Sequence, residues 1–252
     1  MELYQPQFLN EQGGRANNED SVFPTSPSKN DRLFLVCDGV GGQHKGEVAS
    51  KLVCKYTAQY FSEQLYPWND PSWMPSALRF VEQKLQDHLQ HYPECRGMAT
   101  TLALLYLRKD LGKAMIAWIG DSRVYHIRDG SVLFQSRDHS YVQSLLDMGE
   151  ITETEAAIHP KRNMITRAIN GTRETRIDQH VIHEILADDY FFLCSDGILE
   201  NVNISEMAKW FTSDHSPADI RSWILKNAEG KTSDNFSMYL VKVKPSDQPD
   251  QA

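Results

Sequence analysis

The sequence has few cysteines, and no two of them stand at a metal-binding spacing. Only four occur among 252 residues, and none forms a CxxC motif. Cys37 and Cys194 end apolar runs, Cys54 falls in a helical pattern, and Cys95 falls in a loop pattern. We therefore expect buried, reduced thiols, with neither a zinc site nor a disulfide framework.

Positive charge, long apolar runs and a leader pattern are also lacking. The 26 Lys and Arg residues are outnumbered by 34 Asp and Glu residues, which gives a formal net charge of −8. We therefore expect no nucleic acid and no membrane among the partners. The first residues, MELYQPQFLNEQ, have no charged segment followed by an apolar one, and no apolar run is long enough to span a bilayer. The expectation is a cytoplasmic monomer built as one domain.

Many short apolar segments predict strands joined by tight turns. The clearest are LFLVC, TLALLYL, AMIAWI, VYHI and YFFLC. Asp129-Gly130, between VYHIR and SVLFQ, predicts a two-residue hairpin turn. The segment FSMYLVKV alternates between two apolar faces, which carry Phe236, Met238 and Leu240 on one side and Tyr239, Val241 and Val243 on the other. Antiparallel sheet is therefore expected.

Helical spacing predicts one pair of helices early in the chain and another late. The early helices contain the two apolar series Val48, Leu52, Tyr56 and Tyr60, and Met74, Leu78, Val81, Leu85 and Leu89. In the late pair, Asn203 is the predicted N-cap of one helix, and Gly230 is the stop signal of the other. Helices therefore come in pairs between groups of strands.

The segment from about His139 to Gly171 has a different pattern. It predicts a short helix that ends near Gly149, then a capping box from Thr152 to Glu155, and then the polar stretch HPKRN. We interpret it as an insertion rather than as core.

Five aspartates lie at the end of an apolar strand or at a tight turn. They are Asp20 in NNED, Asp38 in CDG, Asp121 in GDS, Asp196 in SDG and Asp234 in SDN. Each by itself is explained as a turn residue, since aspartate bonds its own backbone. Five carboxylates that converge would repel one another unless a cation neutralised them. Mg²⁺ and Mn²⁺ prefer such oxygen ligands, so the pattern indicates a divalent metal site.

The order and spacing of these motifs resemble the protein phosphatase 2C family. The resemblance runs from Arg15 to about Val243 and rests on RANNED, LFLVCDGVGGQHKGEVAS, GMATTLALL, AWIGDSRVYHIRDG, DYFFLCSDG and SDNFSMYLV. It implies an α+β fold, a four-layer α/β/β/α sandwich of two antiparallel sheets flanked by helix pairs. It further implies one catalytic domain over residues 1–244, a helical flap over about 139–171, and a polar tail over 245–252.

The resemblance also implies a metal-binding role for each matching acidic position. Asp38 would bridge two tightly bound Mg²⁺ or Mn²⁺ ions, and the carbonyl of Gly39 would hold one of them. Asp196 and Asp234 would complete the shell of the other ion. Asp121 would bind a weaker third ion.

Other positions match residues that contact the substrate or the water around the metals. Arg15 would bind the substrate phosphate, and Glu19 and Asp20 would orient metal-bound water. Some members carry a histidine directly after the DG pair, where this chain has Val40, and many bacterial members have one after DGxGG, where this chain has His44 one place later. The general acid therefore stays unassigned.

The resulting hypothesis is metal-dependent hydrolysis of phosphoserine and phosphothreonine in proteins. A hydroxide that bridges two cations would attack phosphorus in line. The length suggests a stand-alone bacterial enzyme that opposes a Ser/Thr kinase and acts on its targets, and a link to regulated protein secretion is a further hypothesis. Two alternatives stay open: a catalytically silent module that binds phosphoproteins, and a phosphatase of small metabolites.

Overall fold

Two antiparallel sheets pack face to face, and helices cover the outer face of each. The computed structural model describes residues 1–40, 45–63, 70–212 and 214–245. Over those residues the architecture is the predicted four-layer α+β sandwich. None of the helices in these ranges combines the length and the apolar character that a membrane span requires.

The described strands, in chain order, are β1 (Glu2–Leu3), β2 (Gln7–Glu11), β3 (Ser21–Phe23), β4 (Leu33–Cys37), β5 (Gly39–Val40), β6 (Ala99–Thr100), β7 (Leu102–Arg108), β8 (Lys113–Ile119), β9 (Arg123–Arg128), β10 (Ser131–Gln135), β11 (Asp178–Ile182), β12 (Tyr190–Cys194) and β13 (Phe236–Lys244). The first sheet has the order β11-β8-β7-β4-β3. The second has the order β1-β13-β12-β9-β10, with β2 also paired to β13. Strands β5 and β6 form a small separate pair beside the first sheet.

The described α-helices are α1 (Gly46–Glu63), α2 (Trp73–His91), α3 (Tyr141–Met148), α4 (Glu153–Ile158), α5 (Asp196–Leu199), α6 (Ile204–Met207) and α7 (Pro217–Ala228). Helices α1 and α2 are the predicted early pair and pack on the first sheet. The late pair is shorter than predicted, because α6 gives way to a 3-10 turn at Ala208–Trp210. The N-cap of α6 is the predicted Asn203, whose side chain accepts hydrogen bonds from the amides of Ser205 and Glu206.

Strand β13 shows how the alternating pattern builds the layers. Tyr239, Val241 and Val243 lie in the core between the two sheets, whereas Phe236, Met238 and Leu240 lie in the core beneath α7. The predicted assignment of these residues to two faces is therefore confirmed. The hairpin at Asp129-Gly130 is confirmed as well, and both residues have the positive φ that this turn requires.

The segment 139–171 contains α3 and α4, with the predicted capping box at Thr152 and Glu155. No residue of α3 is buried, which fits an appended flap. The returning residues are different, since Ile169 is fully buried and bonds the backbone of Thr100 on β6. The end of the predicted insertion is therefore part of the core. Most of the expected polar tail, residues 246–252, lies outside the described residues.

Candidate metal centre

Four of the predicted aspartates meet at one end of the sandwich, in a cleft of about 360 Å³. Asp38 follows β4, Asp121 precedes β9, Asp196 begins α5 directly after β12, and Asp234 precedes β13. Each lies where a strand leaves or enters a sheet. Residues that share the lining are Arg15, Ala16, Asn17, Glu19, Gly39, Val40, Asn163, Ile165 and Asn235.

The backbone of Asp38 is fixed by two threonines. The Thr100 hydroxyl donates to the Asp38 carbonyl over 2.7 Å, and the Thr101 amide donates to the same carbonyl over 2.8 Å. The Asp38 amide in turn donates to the Thr101 hydroxyl over 2.9 Å. These bonds hold the peptide on both sides of the Asp38 side chain, which leaves the carboxylate to face the cleft.

Gly39 lies where two other backbone segments approach closely. A Cβ atom at this position would lie 2.5 Å from the backbone of Gly46 and 2.7 Å from the carbonyl oxygen of Glu19. Any larger residue would therefore push the chain away from the cleft. The Gly39 amide donates to that same Glu19 carbonyl over 3.2 Å, which ties the RANNED segment to the backbone that follows Asp38.

The carboxylates of the cleft repel one another in the absence of a cation. Burial, followed by the charges of Asp20, Asp196, Asp121 and Asp234, raises the pKa of Asp38 well above its usual value. Burial and the charge of Asp196 raise the pKa of Asp121 to about 8. A bound cation would remove this penalty, because it favours the ionised form of each group.

Three buried carboxylate oxygens near the cleft have no hydrogen-bond partner: one each from Asp20, Asp121 and Asp196. An orphaned buried oxygen of this kind is costly unless something outside the protein satisfies it. Among the described residues, no group of three or more acidic, histidine or cysteine side chains is arranged so that it could hold a metal ion by itself. Mg²⁺ and Mn²⁺ keep several waters and need few protein ligands, so the separated carboxylates fit these ions.

Glu19 and Asp20 lie at different depths. Glu19 lines the cleft, whereas Asp20 is buried behind it and accepts a hydrogen bond of 2.8 Å from the Ser195 hydroxyl. Burial raises the pKa of Asp20 to about 7, although the hydrogen bond that Ser195 donates opposes the shift. Asp20 is therefore placed to act on the cleft through Asp38 and Asp196, whose charges it meets.

The rim of the cleft carries one ion pair. An Nη atom of Arg15 lies 2.6 Å from Oδ2 of Asp234, and the Arg15 side chain is 55% exposed. Hydrogen bonding to Asp234, together with its charge, raises the pKa of Arg15 further. The guanidinium thus contacts one oxygen of a predicted metal ligand, while more than half of the Arg15 side chain stays exposed.

The family model described as protein phosphatase 2C matches residues 12–226. This chain belongs to the protein phosphatase 2C family.

Two relatives illustrate how this family member aligns with other bacterial proteins. It is 37% identical over 207 residues to the serine/threonine protein phosphatase PstP of Mycobacterium tuberculosis, a match that covers 77% of this chain but only 38% of that protein. It is 31% identical over 236 residues to the protein phosphatase PhpP of Streptococcus pneumoniae, which covers 92% of this chain and 94% of that one. The chain therefore spans less than half of the mycobacterial relative and nearly all of the streptococcal one.

A solved structure extends the comparison within the protein phosphatase 2C family. The catalytic domain of PstP in complex with two manganese ions superposes with a TM-score of 0.77 at 28% identity, over 97% of this chain and 100% of that one. The family is metal-dependent. The two structures therefore share the fold in which the cleft aspartates of this chain lie.

Asn235 supports the cleft, although the sequence pattern did not predict a role for it. The Asn235 side chain donates to the carbonyls of Gln12 and Asn17 over 2.7 and 2.8 Å, and it accepts from the Glu19 amide over 2.8 Å. It thereby holds the N-terminal loop against the turn before β13. The SDN tripeptide contains this asparagine, but the motif indicated a role only for its aspartate. The positions Gly41 to His44, including the histidine considered as a general acid, lie outside the described residues.

Proposed function

We propose that this chain is a protein phosphatase that hydrolyses phosphoserine and phosphothreonine with two tightly bound Mg²⁺ or Mn²⁺ ions and a weaker third one. The observation that carries the proposal is the set of orphaned buried oxygens on Asp20, Asp121 and Asp196, which lie in or behind one cleft. Membership in the protein phosphatase 2C family supports the same chemistry.

The proposed metal ligands are the side chains of Asp38, Asp121, Asp196 and Asp234 and the carbonyl of Gly39. When bound, the ions supply Lewis acidity and lower the pKa of water. Asp38 is proposed as the ligand shared by the two tight sites, because its backbone is fixed from both sides and its carboxyl meets the charges of the other aspartates. Asp121 is proposed as the ligand of the weaker site.

Arg15 is proposed to bind the phosphate of the substrate. A guanidinium presents a planar fork of donors that matches two phosphate oxygens, and it cannot itself bind a cation. Its exposed position in the lining of the cleft supports this proposed role. Its contact with Asp234 would then restrain the guanidinium between the phosphate and the metals.

Behind the cleft, Glu19 and Asp20 are proposed to orient the water around the ions. Glu19 lines the cleft, and Asp20 is held in place by Ser195. We also propose that residues 1–244 form one catalytic domain, that the protein acts as a monomer, and that it opposes a bacterial Ser/Thr kinase. The names of the relatives support a phosphoprotein substrate.

One assay separates this function from its alternatives. Purified protein is given phosphoserine and phosphothreonine peptides, and in parallel a panel of small phosphorylated metabolites, with Mn²⁺ or with chelator. We expect turnover of the peptides that chelation abolishes. Faster turnover of metabolites would favour a small-molecule phosphatase, and peptide binding without turnover would favour a silent module. Full activity in a chelated protein that holds no ion would contradict the proposed metal dependence.

The matched control for substitutions of the cleft aspartates is Asp189→Asn. Asp189 is a buried aspartate at the opposite end of β12, and it lies outside the cleft. The control shows whether losing a buried carboxylate anywhere in the fold lowers activity. We expect the folded control protein to keep its turnover.

A further inference from the structure

The turn that carries Asp121 is held on both sides by two consecutive residues, Asp138 and His139. Asp138 forms a two-pronged ion pair with Arg123, with distances of 2.8 and 2.7 Å. The ring Nδ1 of His139 accepts a hydrogen bond of 3.0 Å from the Gly120 amide. The His139 amide donates to the Gly120 carbonyl over 2.8 Å. Both backbone groups of the residue before Asp121 are thus bonded to one histidine.

The conformation of Gly120 explains why such a hold is needed. Its φ of +97° is a value that side-chain-bearing residues rarely adopt, and a Cβ atom there would lie 2.5 Å from the Thr101 side chain. A glycine that is free to rotate gives little rigidity to its neighbour. The two hydrogen bonds between Gly120 and His139 therefore supply the rigidity that the residue type lacks.

His139 is also the first residue of the flap segment. Its carbonyl accepts a hydrogen bond of 2.8 Å from the Thr166 amide, so it joins the outgoing and returning chains of the flap. On the other side of the ring, Nε2 lies 3.1 Å from Asp178 and 2.8 Å from Arg167, and these two residues pair over 2.8 Å. The ring therefore links the Asp121 turn, the base of the flap and the start of β11.

The partners of the ring determine where its proton lies. A backbone amide can only donate, so Nδ1 carries no proton, and a neutral ring carries it on Nε2, which donates to the Asp178 carboxylate. The Arg167 guanidinium, which can also only donate, then bonds the other oxygen of that carboxylate rather than the ring. The ring also stacks against Trp118, with centroids 6.3 Å apart and planes 11° apart. Burial lowers the pKa of His139, which favours this neutral form.

We propose that His139 is a positioning residue that fixes the Asp121 turn relative to the flap through the acceptor Nδ1. The link to a third metal ion rests on the function proposed above, whereas the hold on Gly120 does not. Disturbing the acceptor frees the peptide before Asp121 and weakens the metal site that this aspartate serves. A movement of the residues at the base of the flap would change the position of Asp121 through the same contact between His139 and Gly120.

The test compares two substitutions of similar polarity. In His139→Asn the amide oxygen reaches the place of Nδ1, whereas in His139→Gln the amide reaches the place of Nε2. We expect His139→Gln to raise the hydrogen exchange rate of the Gly120 amide in the metal-free protein about fivefold or more, the scale of one lost hydrogen bond. His139→Asn should stay within about twofold of the unsubstituted protein. His91→Asn, on the exposed end of α2, is the matched control.

The same variants are then titrated with Mn²⁺ while phosphopeptide turnover is measured. We expect His139→Gln to need about fivefold more Mn²⁺ or more for half-maximal turnover, with KM for the peptide changed less, because the loop rather than the phosphate contact is disturbed. A changed exchange rate with an unchanged Mn²⁺ requirement would overturn the link to the metal. If the unsubstituted protein hydrolyses no phosphopeptide, the proposed function fails, and the exchange comparison still decides whether His139 holds Gly120.

Equal exchange rates in the two His139 variants would overturn the proposal, because packing of the ring and not its acceptor would then be responsible. A direct measurement needs no substitution. A scalar coupling between the Gly120 amide nitrogen and Nδ1 of His139 is expected in the NMR spectrum of the unsubstituted, ¹⁵N-labelled protein. A ring whose Nδ1 carries the proton, with no such coupling, would refute the assigned contact.

Discussion

The antiparallel pair of strands β9 and β12 has one buried aspartate at each end, Asp121 at the cleft end and Asp189 at the opposite, closed end, and the surroundings shift their pKa values in opposite directions. At the closed end, hydrogen bonds from Arg128 and His126 overcome the effect of burial and lower the pKa of Asp189 to about 2. At the cleft end, burial and the charge of Asp196 raise the pKa of Asp121 to about 8. Asp189 is bonded by Arg128 and His126, whereas one carboxylate oxygen of Asp121 has no hydrogen-bond partner among the described residues.

The largest expected effect is the loss of turnover in Asp38→Ala. Removing the proposed shared metal ligand should lower turnover at least about a thousandfold, the upper range for one electrostatic contributor to a transition state. Excess Mn²⁺ should not restore it. In Asp121→Ala, calorimetric titration should still find two tightly bound ions, and turnover should fall less. Equal loss of both tight ions in the two variants would contradict the proposed division of roles.

Substitution of Asp189, at the closed end, should lower the stability of the protein and leave its turnover unchanged. Asp189→Asn leaves Arg128 and His126 without their buried partner, and we expect the free energy of unfolding to fall by about 3 kcal/mol in urea titrations. The folded pKa of Asp189 is depressed, so its contribution is present above about pH 4 and is lost as the pH falls toward 2. The difference between variant and parent should therefore shrink over that window. Reduced turnover per folded molecule would contradict the comparison.

At the rim of the cleft, Arg15→Ala should weaken substrate binding more than metal binding. We expect KM for a phosphopeptide to rise about tenfold, which corresponds to about 1.4 kcal/mol of lost phosphate contact. Arg15→Lys should fall between the variant and the parent, because a lysine keeps the charge without the planar fork. Steady-state kinetics at saturating Mn²⁺ measures the effect. An unchanged KM in Arg15→Ala would remove the proposed phosphate ligand.

The smallest expected effect has the opposite sign from that of Asp189→Asn. In chelator, Asp121→Asn should raise Tm by about 2–4 °C, the shift that about 1 kcal/mol gives in a domain of this size. The raised pKa of Asp121 means that its cost is absent below about pH 4 and complete above about pH 8, so the gain should grow across that range. Thermal melts at several pH values measure it. A lower Tm in chelator would show that Asp121 already has a stabilising partner.

The sequence predicted the carboxylates of the cleft but not the groups that hold them. Asp38, Asp121, Asp196 and Asp234 each follow or precede a recognisable apolar strand, so local pattern and motif order locate them together. The bonds from Thr100 and Thr101 to Asp38 join residues 62 and 63 positions apart, and no local pattern reports such a contact.

Strands were missed where they are short or polar. The N-terminal strands β1 and β2 both pair with β13 in the second sheet, and their segment of the sequence has no apolar run. Strand β11 reads DQHVI, and its pairing with β8 decides its conformation rather than its own composition. The predicted strands, by contrast, are nearly continuous apolar runs, buried on both faces between a sheet and a helical layer.

The hold of Asn235 on the N-terminal loop also has a consequence for protein synthesis. Asn235 bonds carbonyls 223 and 218 positions earlier in the chain, and Arg15 meets Asp234 across 219 positions. A ribosome must therefore release residue 235 from its tunnel before the proposed metal centre can be assembled. A nascent chain or a prematurely terminated fragment that stops short of this point should have no phosphatase activity, however well its early helices have folded.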